Sequence, residues 1–267
     1  MIHPTAIIHP GAQLHSSVEV GPFAVIDQDV SIGPDCRIGP HVYLTGLTAI
    51  GTGNRFYAGC VIGEAPQDVK YKDEPARLEI GGHNLFREGC TVHRSAIDGE
   101  ATVIGSHNFI MVNSHVAHNA RMGDHVILAN GALLAGHAQV ADRAFISGNC
   151  LVHQFTRIGT LALMQGGAAI SKDLPPFTIA RGYNRLGGLN IIGLRRAGFT
   201  PAERLELKKL YHLLFRSRGN FSAALADARR NFTSAPARTL LDFLAAAKRG
   251  VCMDSADPEN ESDAEND

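Results

Sequence analysis

Residues 104–170 read IGSHNF IMVNSH VAHNAR MGDHVI LANGAL LAGHAQ VADRAF ISGNCL VHQFTR IGTLAL MQGGAA I, and every block of six opens on an apolar residue. Carried back towards the N-terminus, the same register begins at Ile2 and runs through Ile8, Leu14, Val20, Ile26, Ile32, Ile38, Leu44, Ile50, Phe56 and Ile62. Of the 29 positions from Ile2 to Ile170, 26 are apolar. A chain that is 45% hydrophobic would fill about 13 of them by chance. A period of six matches neither the 3.6-residue stripe of a helix nor the two-residue alternation of a strand. It is the mark of a parallel β-helix built from hexapeptides, three to each triangular coil. Coils of 18 residues would stack at about 4.8 Å, each covering its neighbour's open edge.

Two other positions of the hexad agree. Four residues after the anchor the side chain is small, as at Ala12, Ala24, Cys36, Ala120, Ala132, Ala138, Ala144 and Ala162. Large and small residues therefore share the interior. The residue after the anchor is often glycine (Gly21, Gly33, Gly51, Gly81, Gly105, Gly123), which predicts tight corners with a positive φ at those positions. Cys36, Cys60, Cys90 and Cys150 fall on the small inward position and Cys252 near the tail. That spacing suits neither a disulfide framework nor a zinc site, so the cysteines read as core filler and a reducing cytoplasm as the compartment.

The repeat enters at Met1-Ile2-His3-Pro4 without a basic or apolar leader, so no signal peptide is expected. No run approaches 18 apolar residues, and no membrane span is expected. The register stops at Pro175-Pro176. A helical region is expected from about Gly198, opened by the capping box Thr200-Pro201-Ala202-Glu203 and the amphipathic run Leu205 to Phe215. Further helices are expected at about Ser222 to Arg230 and Ala237 to Lys248. From Met253 to Asp267 there are seven acids and no base, which reads as a disordered tail. The expected organisation is an all-β left-handed parallel β-helix, a triangular prism, over 1–190, a small α-helical C-terminal domain over 191–252, and an acidic tail over 253–267. The whole chain carries −1, but without those seven acids the balance is +6, which suits an acidic partner or a phosphorylated substrate.

The exceptions to the repeat carry the functional signal. Asp68 and Glu74 break the register within the polar segment Glu64 to Pro75, and a smaller excursion surrounds Ile97-Asp98-Gly99-Glu100. Loops that interrupt a rigid scaffold often carry function, against the alternative of a neutral surface insertion. Anchors Val116, Leu134 and Val152 are 18 apart, and His115, His118, His137 and His153 flank them or follow closely. The spacing predicts four outward imidazoles along one edge over three coils. They can be ordinary solvated histidines, an acid/base site or metal ligands. Three convergent histidines on a β-helix also describe the zinc site of gamma-class carbonic anhydrases, which leaves the loop at Gln67 to Lys70 and the helical domain without a role. A noncatalytic or ice-binding β-helix calls for flat faces of repeated small polar residues, whereas these outward positions are mixed and charged.

The loop Gln67-Asp68-Val69-Lys70-Tyr71, the stretches His115-Val116-Ala117-His118, Leu134-Ala135-Gly136-His137 and Val152-His153-Gln154-Phe155, Asp173-Leu174-Pro175-Pro176, and the segment Gly188-Leu189-Asn190 to Arg196 occur in that order. Together with the repeat they resemble the UDP-N-acetylglucosamine O-acyltransferase family, which opens lipid A synthesis. The resemblance covers everything except the acidic tail. It implies transfer of a 3-hydroxyacyl group from acyl carrier protein to the glucosamine 3-hydroxyl of UDP-N-acetylglucosamine by a cytoplasmic homotrimer. His118 matches the general base and Gly136 the backbone oxyanion donor. His115, His137, Gln67 and Lys70 match residues that hold the sugar and its phosphates, Asp68 one near the acyl donor, and His153 and Gln154 line the same cleft. Asn190 and Arg196 match the uridine end, and Gly166 the position that measures the acyl chain, with Met164 and Gln165 beside it as residues able to shorten that groove. No metal, cofactor, nucleic acid or membrane span is implied. The acidic carrier protein suits the basic body, with Lys208, Lys209, Arg216 and Arg218 as contacts.

Three positions depart from the pattern. An Asp that follows the base in well-known members is Asn119 here, an acidic residue after Asn190 is Ile192, and a second basic residue is Ala197. Asn119 can orient an imidazole but supplies no charge. N-acylation of a 3-amino sugar nucleotide by the same site therefore stands as an alternative to O-acylation.

Overall fold

The computed structural model describes residues 1–217 and 219–254. Among the described residues the strands form three sheets, of nine, eight and eleven strands, in which the strands up to Thr178–Arg181 pair with the equivalent strand of the next coil. The result is a left-handed parallel β-helix. Ile7 pairs with Val25, Val25 with Tyr43 and Tyr43 with Val61, each step being one 18-residue coil. Two steps are longer. Val61 pairs with Thr91, and Thr91 with His115, so these coils hold 30 and 24 residues. Their surplus residues are the two excursions that broke the sequence register, one following strand Val61–Glu64 and the other strand Thr91–His93, which pairs with His115. From there the 18-residue step returns, His115 pairing with Leu133 and Leu133 with Leu151.

The anchors from Val20 to Ile170 are buried and form one continuous core with the small residues between them. Each fully buried aliphatic anchor contributes about 1.5–3 kcal/mol of transfer free energy, so the prism is held along its whole length rather than at one point. All five cysteines are free and buried.

The corners correct one expectation. Of the glycines after the anchor, Gly63 takes the positive φ (86°) but Gly21, Gly33, Gly51, Gly81, Gly105 and Gly123 do not; Gly51 and Gly81, for example, stack with so little space that a Cβ on Gly51 would lie 2.8 Å from the Gly81 carbonyl oxygen. Close approach of successive coils excludes a side chain there. The left-handed conformation falls two residues later and is carried mostly by other residue types, including Asn113 (φ 56°), Asn119 (φ 58°), His137 (φ 60°) and Phe155 (φ 62°). Asn119, His137 and Phe155 are 18 apart, so one column of such corners runs through the candidate site.

Strand Thr178–Arg181 continues the stack on Leu163–Met164, and Arg185–Leu189 returns antiparallel to it. Four helices follow among the described residues: α1 (Ile191–Arg196), α2 (Pro201–Tyr211), α3 (Phe221–Asn231) and α4 (Ala235–Ala245). α1 precedes the first helix expected from about Gly198; its six residues are too few to show a period. The capping box at Thr200 forms as read, Thr200 accepting from the Glu203 N–H and Glu203 from the Thr200 N–H. After α2 the chain makes a π-helical turn at His212–Arg216. Arg157 ties the helices to the coils, paired with buried Asp173 at 2.7 Å, donating to the Phe243 carbonyl at 3.0 Å and lying over the Phe243 ring. The acidic segment does not begin in disorder. Met253–Asp254 add a strand to Arg185–Leu189, and the Asp254 carboxylate accepts from the Tyr211 hydroxyl and from Arg216, both at 2.9 Å. The rest of the tail, 255–267, and Arg218 lie outside the described residues.

Candidate active site

His118 occupies the corner between the Val116 and Met122 anchors and is half-buried. Its Nδ1 lies 2.9 Å from Asn119 Oδ1. The orientation of the Asn119 amide is dictated by groups with only one possible role. The Ala96 N–H donates to Oδ1 at 3.0 Å, and Nδ2 donates to the Glu100 carboxylate at 3.1 Å and to Ser95 Oγ at 2.7 Å. The Asn119 N–H is taken by Thr102 Oγ1 at 2.7 Å. Oδ1 is therefore an acceptor towards His118, Nδ1 carries the imidazole proton, and Nε2 presents its lone pair to the cleft. Asn119 thus does the orienting work of the expected Asp, while the charge sits one residue further back, on Glu100.

Gly136 lies one coil above His118. A Cβ there would be 2.7 Å from both Cε1 and Nε2 of the imidazole, so glycine is what leaves room for the ring. The Gly136 N–H donates to no group among the described residues. The two form one wall of a cleft of about 610 Å³, which Gln67, His115, His153 and Gln154 also line. Leu133 and Leu151 add an exposed apolar strip along the adjoining sheet face.

The four imidazoles do not form one straight edge, because they sit at four different phases of the hexad. His115 is on the flat face, its Nδ1 2.7 Å from Thr91 Oγ1. His118 and His153 point into the cleft. His137 turns around the corner, stacking on Phe155 at 4.4 Å with its ring edge-on to His118 at 5.4 Å. It opens on a second groove shared with Glu100, Asn119, Arg121 and Arg157. Burial, and then the neighbouring His118, push the pKa of both His115 and His137 below the usual histidine value. Glu100 and Asp68 oppose that shift at His137.

The loop that delivers Gln67 is braced rather than loose. Arg94 donates to the Gly63 carbonyl at 2.8 Å and to the Tyr71 hydroxyl, which itself donates to the Glu74 carbonyl. Asp68 accepts from the Lys70 N–H at 2.9 Å, and the Lys70 side chain is exposed. Other expected residues lie apart from the cleft of a single chain. Asn190 is the N-cap of α1, accepting from the Gly193 N–H and donating to the Leu161 carbonyl, both at 2.9 Å. Arg196 is exposed in the last turn of α1, and Ile192 is exposed on the same helix. Gly166 sits at a different corner, and a Cβ there would meet only the Gly148 carbonyl oxygen, at 3.7 Å. Met164 is fully buried in the prism, so it cannot narrow an outer groove as the sequence allowed.

Sequence reasoning missed His93, Ser95 and Glu100. His93 is buried, its ring edge-on to His115 at 4.8 Å, its Nδ1 without a partner among the described residues, and its pKa pushed down to about 4 by burial and then by His115. The available signal was the length of the coil that holds them. Thr91 and His115 are 24 apart, so His93 belongs to the histidine group once the six extra residues are counted. No group of three or more His, Cys, Asp or Glu side chains suited to holding a metal ion occurs among the described residues.

A prism of hexapeptide coils with a histidine cleft at one corner fits a hexapeptide-repeat acyltransferase. The family model described as bacterial transferase hexapeptide (six repeats) matches residues 11–46 and 101–136, and that of UDP-N-acetylglucosamine O-acyltransferase, domain 2, matches 173–252. The chain is 44% identical to the acyl-(acyl-carrier-protein)-UDP-N-acetylglucosamine O-acyltransferase of Thermodesulfovibrio yellowstonii, over 94% of this chain and 98% of that one. It is 47% identical to the enzyme of that name from Gloeothece citriformis, over 91% and 88%. Among solved structures, the UDP-N-acetylglucosamine acyltransferase of Francisella novicida superimposes with a TM-score of 0.92 at 33% identity, covering 96% of this chain and 95% of that one. The Bacteroides fragilis enzyme gives 0.89 at 40% identity, covering 94% and 99%. The chain belongs to the UDP-N-acetylglucosamine O-acyltransferase family.

Proposed function

We propose that the chain transfers a 3-hydroxyacyl group from acyl carrier protein to the 3-hydroxyl of UDP-N-acetylglucosamine, opening lipid A biosynthesis, with His118 as the general base. The observation that carries the role of His118 is the fixed Asn119 amide, which leaves Nε2 unprotonated and facing the cleft. Nε2 takes the proton of the sugar hydroxyl as its oxygen attacks the thioester carbonyl. The Gly136 N–H donates to the tetrahedral oxyanion. When the carbon–sulfur bond breaks, the imidazolium returns its proton to the departing thiolate, so no covalent enzyme intermediate, metal or cofactor is needed.

Gln67, His115, His153 and Gln154 line the cleft that would receive the sugar and its phosphates, with His137, Asp68 and Lys70 around its rim. Asn190 and Arg196 would serve the uridine from α1. Gly166 can meet an acyl chain only if another copy packs against this cleft, and the exposed Leu133 and Leu151 supply an apolar face for it; we therefore assign the chain to a homotrimer with shared sites, acting in the cytoplasm. The exposed Lys208 and Lys209 of α2 suit the acidic carrier protein. Asn119 gives no reason to prefer an amino-sugar acceptor, since His118 is oriented as a base without an adjacent Asp. The test is acyl transfer by His118→Ala with 3-hydroxyacyl carrier protein and UDP-N-acetylglucosamine. Loss of a base should lower kcat by about 10²–10⁴ with KM little changed; a rate within threefold of the parent would overturn the assignment.

A further inference from the structure

We propose that Glu100 supplies, through the Asn119 amide, the negative charge that stabilises the His118 imidazolium, so that Glu100, Asn119 and His118 act as a hydrogen-bonded relay. The inference rests on His118 being the base. Asn119 replaces a residue that would bring a carboxylate directly against the ring, and the structure shows where a carboxylate sits instead. Glu100 Oε2 is 3.1 Å from Asn119 Nδ2, and Asn119 Oδ1 is 2.9 Å from His118 Nδ1. The amide dipole between them points its positive end at the carboxylate and its negative end at the imidazole N–H, the direction in which consecutive hydrogen bonds polarise one another.

The rest of the shell holds this alignment. Ala96 N–H fixes Oδ1, and Ser95 Oγ takes the second hydrogen of Nδ2. Ser95, Ala96 and Glu100 all belong to the 24-residue coil, whose six surplus residues place them behind Asn119; an 18-residue coil would have none of them there. Asn119 is buried and adopts φ 58°, a conformation that Asn and Asp both accept, so the departure from Asp is not explained by the backbone. The other ionisable groups near the relay are His93, His115 and His137 around His118, Asp68, which acts on His137, and Arg121, Arg157, Asp173, Lys248 and Arg249 in the groove of Glu100. Glu100 is exposed, so its charge acts partly through water and the effect is moderate. Glu100 is thus a positioning residue and does not touch substrate.

Glu100→Gln keeps an acceptor for Asn119 Nδ2 while removing the charge. It should lower kcat about three- to tenfold, with KM for UDP-N-acetylglucosamine within twofold. It should also move the acidic limb of the pH profile to lower pH, by about half to one unit. In the double variant Glu100→Gln with Asn119→Asp, the charge moves one residue inward and the Gln amide can donate to it. The rate should return to the parent value or above, and the limb should move back up. A Glu100→Gln enzyme with the parent rate and profile, or a loss that Asn119→Asp does not recover, overturns the relay. His118→Ala separates the two readings: if it is inactive and Glu100→Gln is normal, the relay alone fails, whereas an active His118→Ala removes the base itself.

Discussion

Replacing Gly136 by alanine tests the packing of the site through a single methyl group. The new Cβ would stand 2.7 Å from Cε1 and Nε2 of His118. Ordinary contact begins near 3.4 Å, so the ring must withdraw by about 0.7 Å or tilt, and Nε2 is the atom that must stay in place for proton transfer. The ring has little freedom, held at Nδ1 by Asn119 and met edge-on by His137. Since a misplacement of about 1 Å can cost about 10²-fold, kcat should fall about 30- to 100-fold. Gly136 has no positive φ, so alanine brings no backbone strain, and its N–H remains available to an oxyanion. Stability should drop by only about 1 kcal/mol, because one side of the contact is open cleft. Steady-state acyl transfer with saturating donor, read beside a thermal melt, separates the effects. A kcat within threefold of the parent would refute the placement of the imidazole over Gly136.

Further outcomes follow from the same structure. His93 is neutral in the fold with a pKa of about 4 but titrates near 6.5 when unfolded, so the unfolded chain binds the extra proton and stability falls as pH drops through that window. The loss should total about 3 kcal/mol and level off below about pH 4, with His115 and His137 acting in the same direction; urea titrations in which His93→Phe has the parent's pH slope would count against this. Leu133→Asp with Leu151→Asp places two charges on the exposed apolar strip and should convert a trimer to monomers in sedimentation, with loss of transfer; an unchanged mass would place the interface elsewhere. Gly166→Met should shift donor preference towards shorter acyl chains with shorter and longer donors assayed side by side, and an unaltered preference would remove Gly166 from the acyl path.

The prism was legible because its signal is repeated at every sixth position and each anchor is simply inside. The two excursions were legible for the same reason, as interruptions of a regular count. What the sequence could not show is how they alter the stacking: the 24-residue coil brings His93 beside His115 and Glu100 behind Asn119, contacts invisible to a count of 18 begun at Ile104. The histidines were found, yet their distribution around the corner depends on hexad phase, which sends His118 to the cleft and His137 to Phe155. Glycine after the anchor was read as a conformational need, which holds at Gly63, but elsewhere in the stack, as at Gly51 and Gly81, the need is one of space. Asn190, read for a ligand, also caps α1, and the acidic tail opens as a strand because Tyr211 and Arg216, distant in sequence, receive Asp254.

For His118 to act as the base, Asn119 must hold it as the Nδ1–H tautomer with Nε2 free. Nitrogen-15 spectra of histidine-labelled protein at a pH where His118 is neutral, assigned by comparison with His118→Ala, read the tautomer directly. The Asn119 contact requires a protonated Nδ1 and an unprotonated, acceptor-type Nε2 on His118. A proton on Nε2 instead would contradict it, whatever the rate of the enzyme.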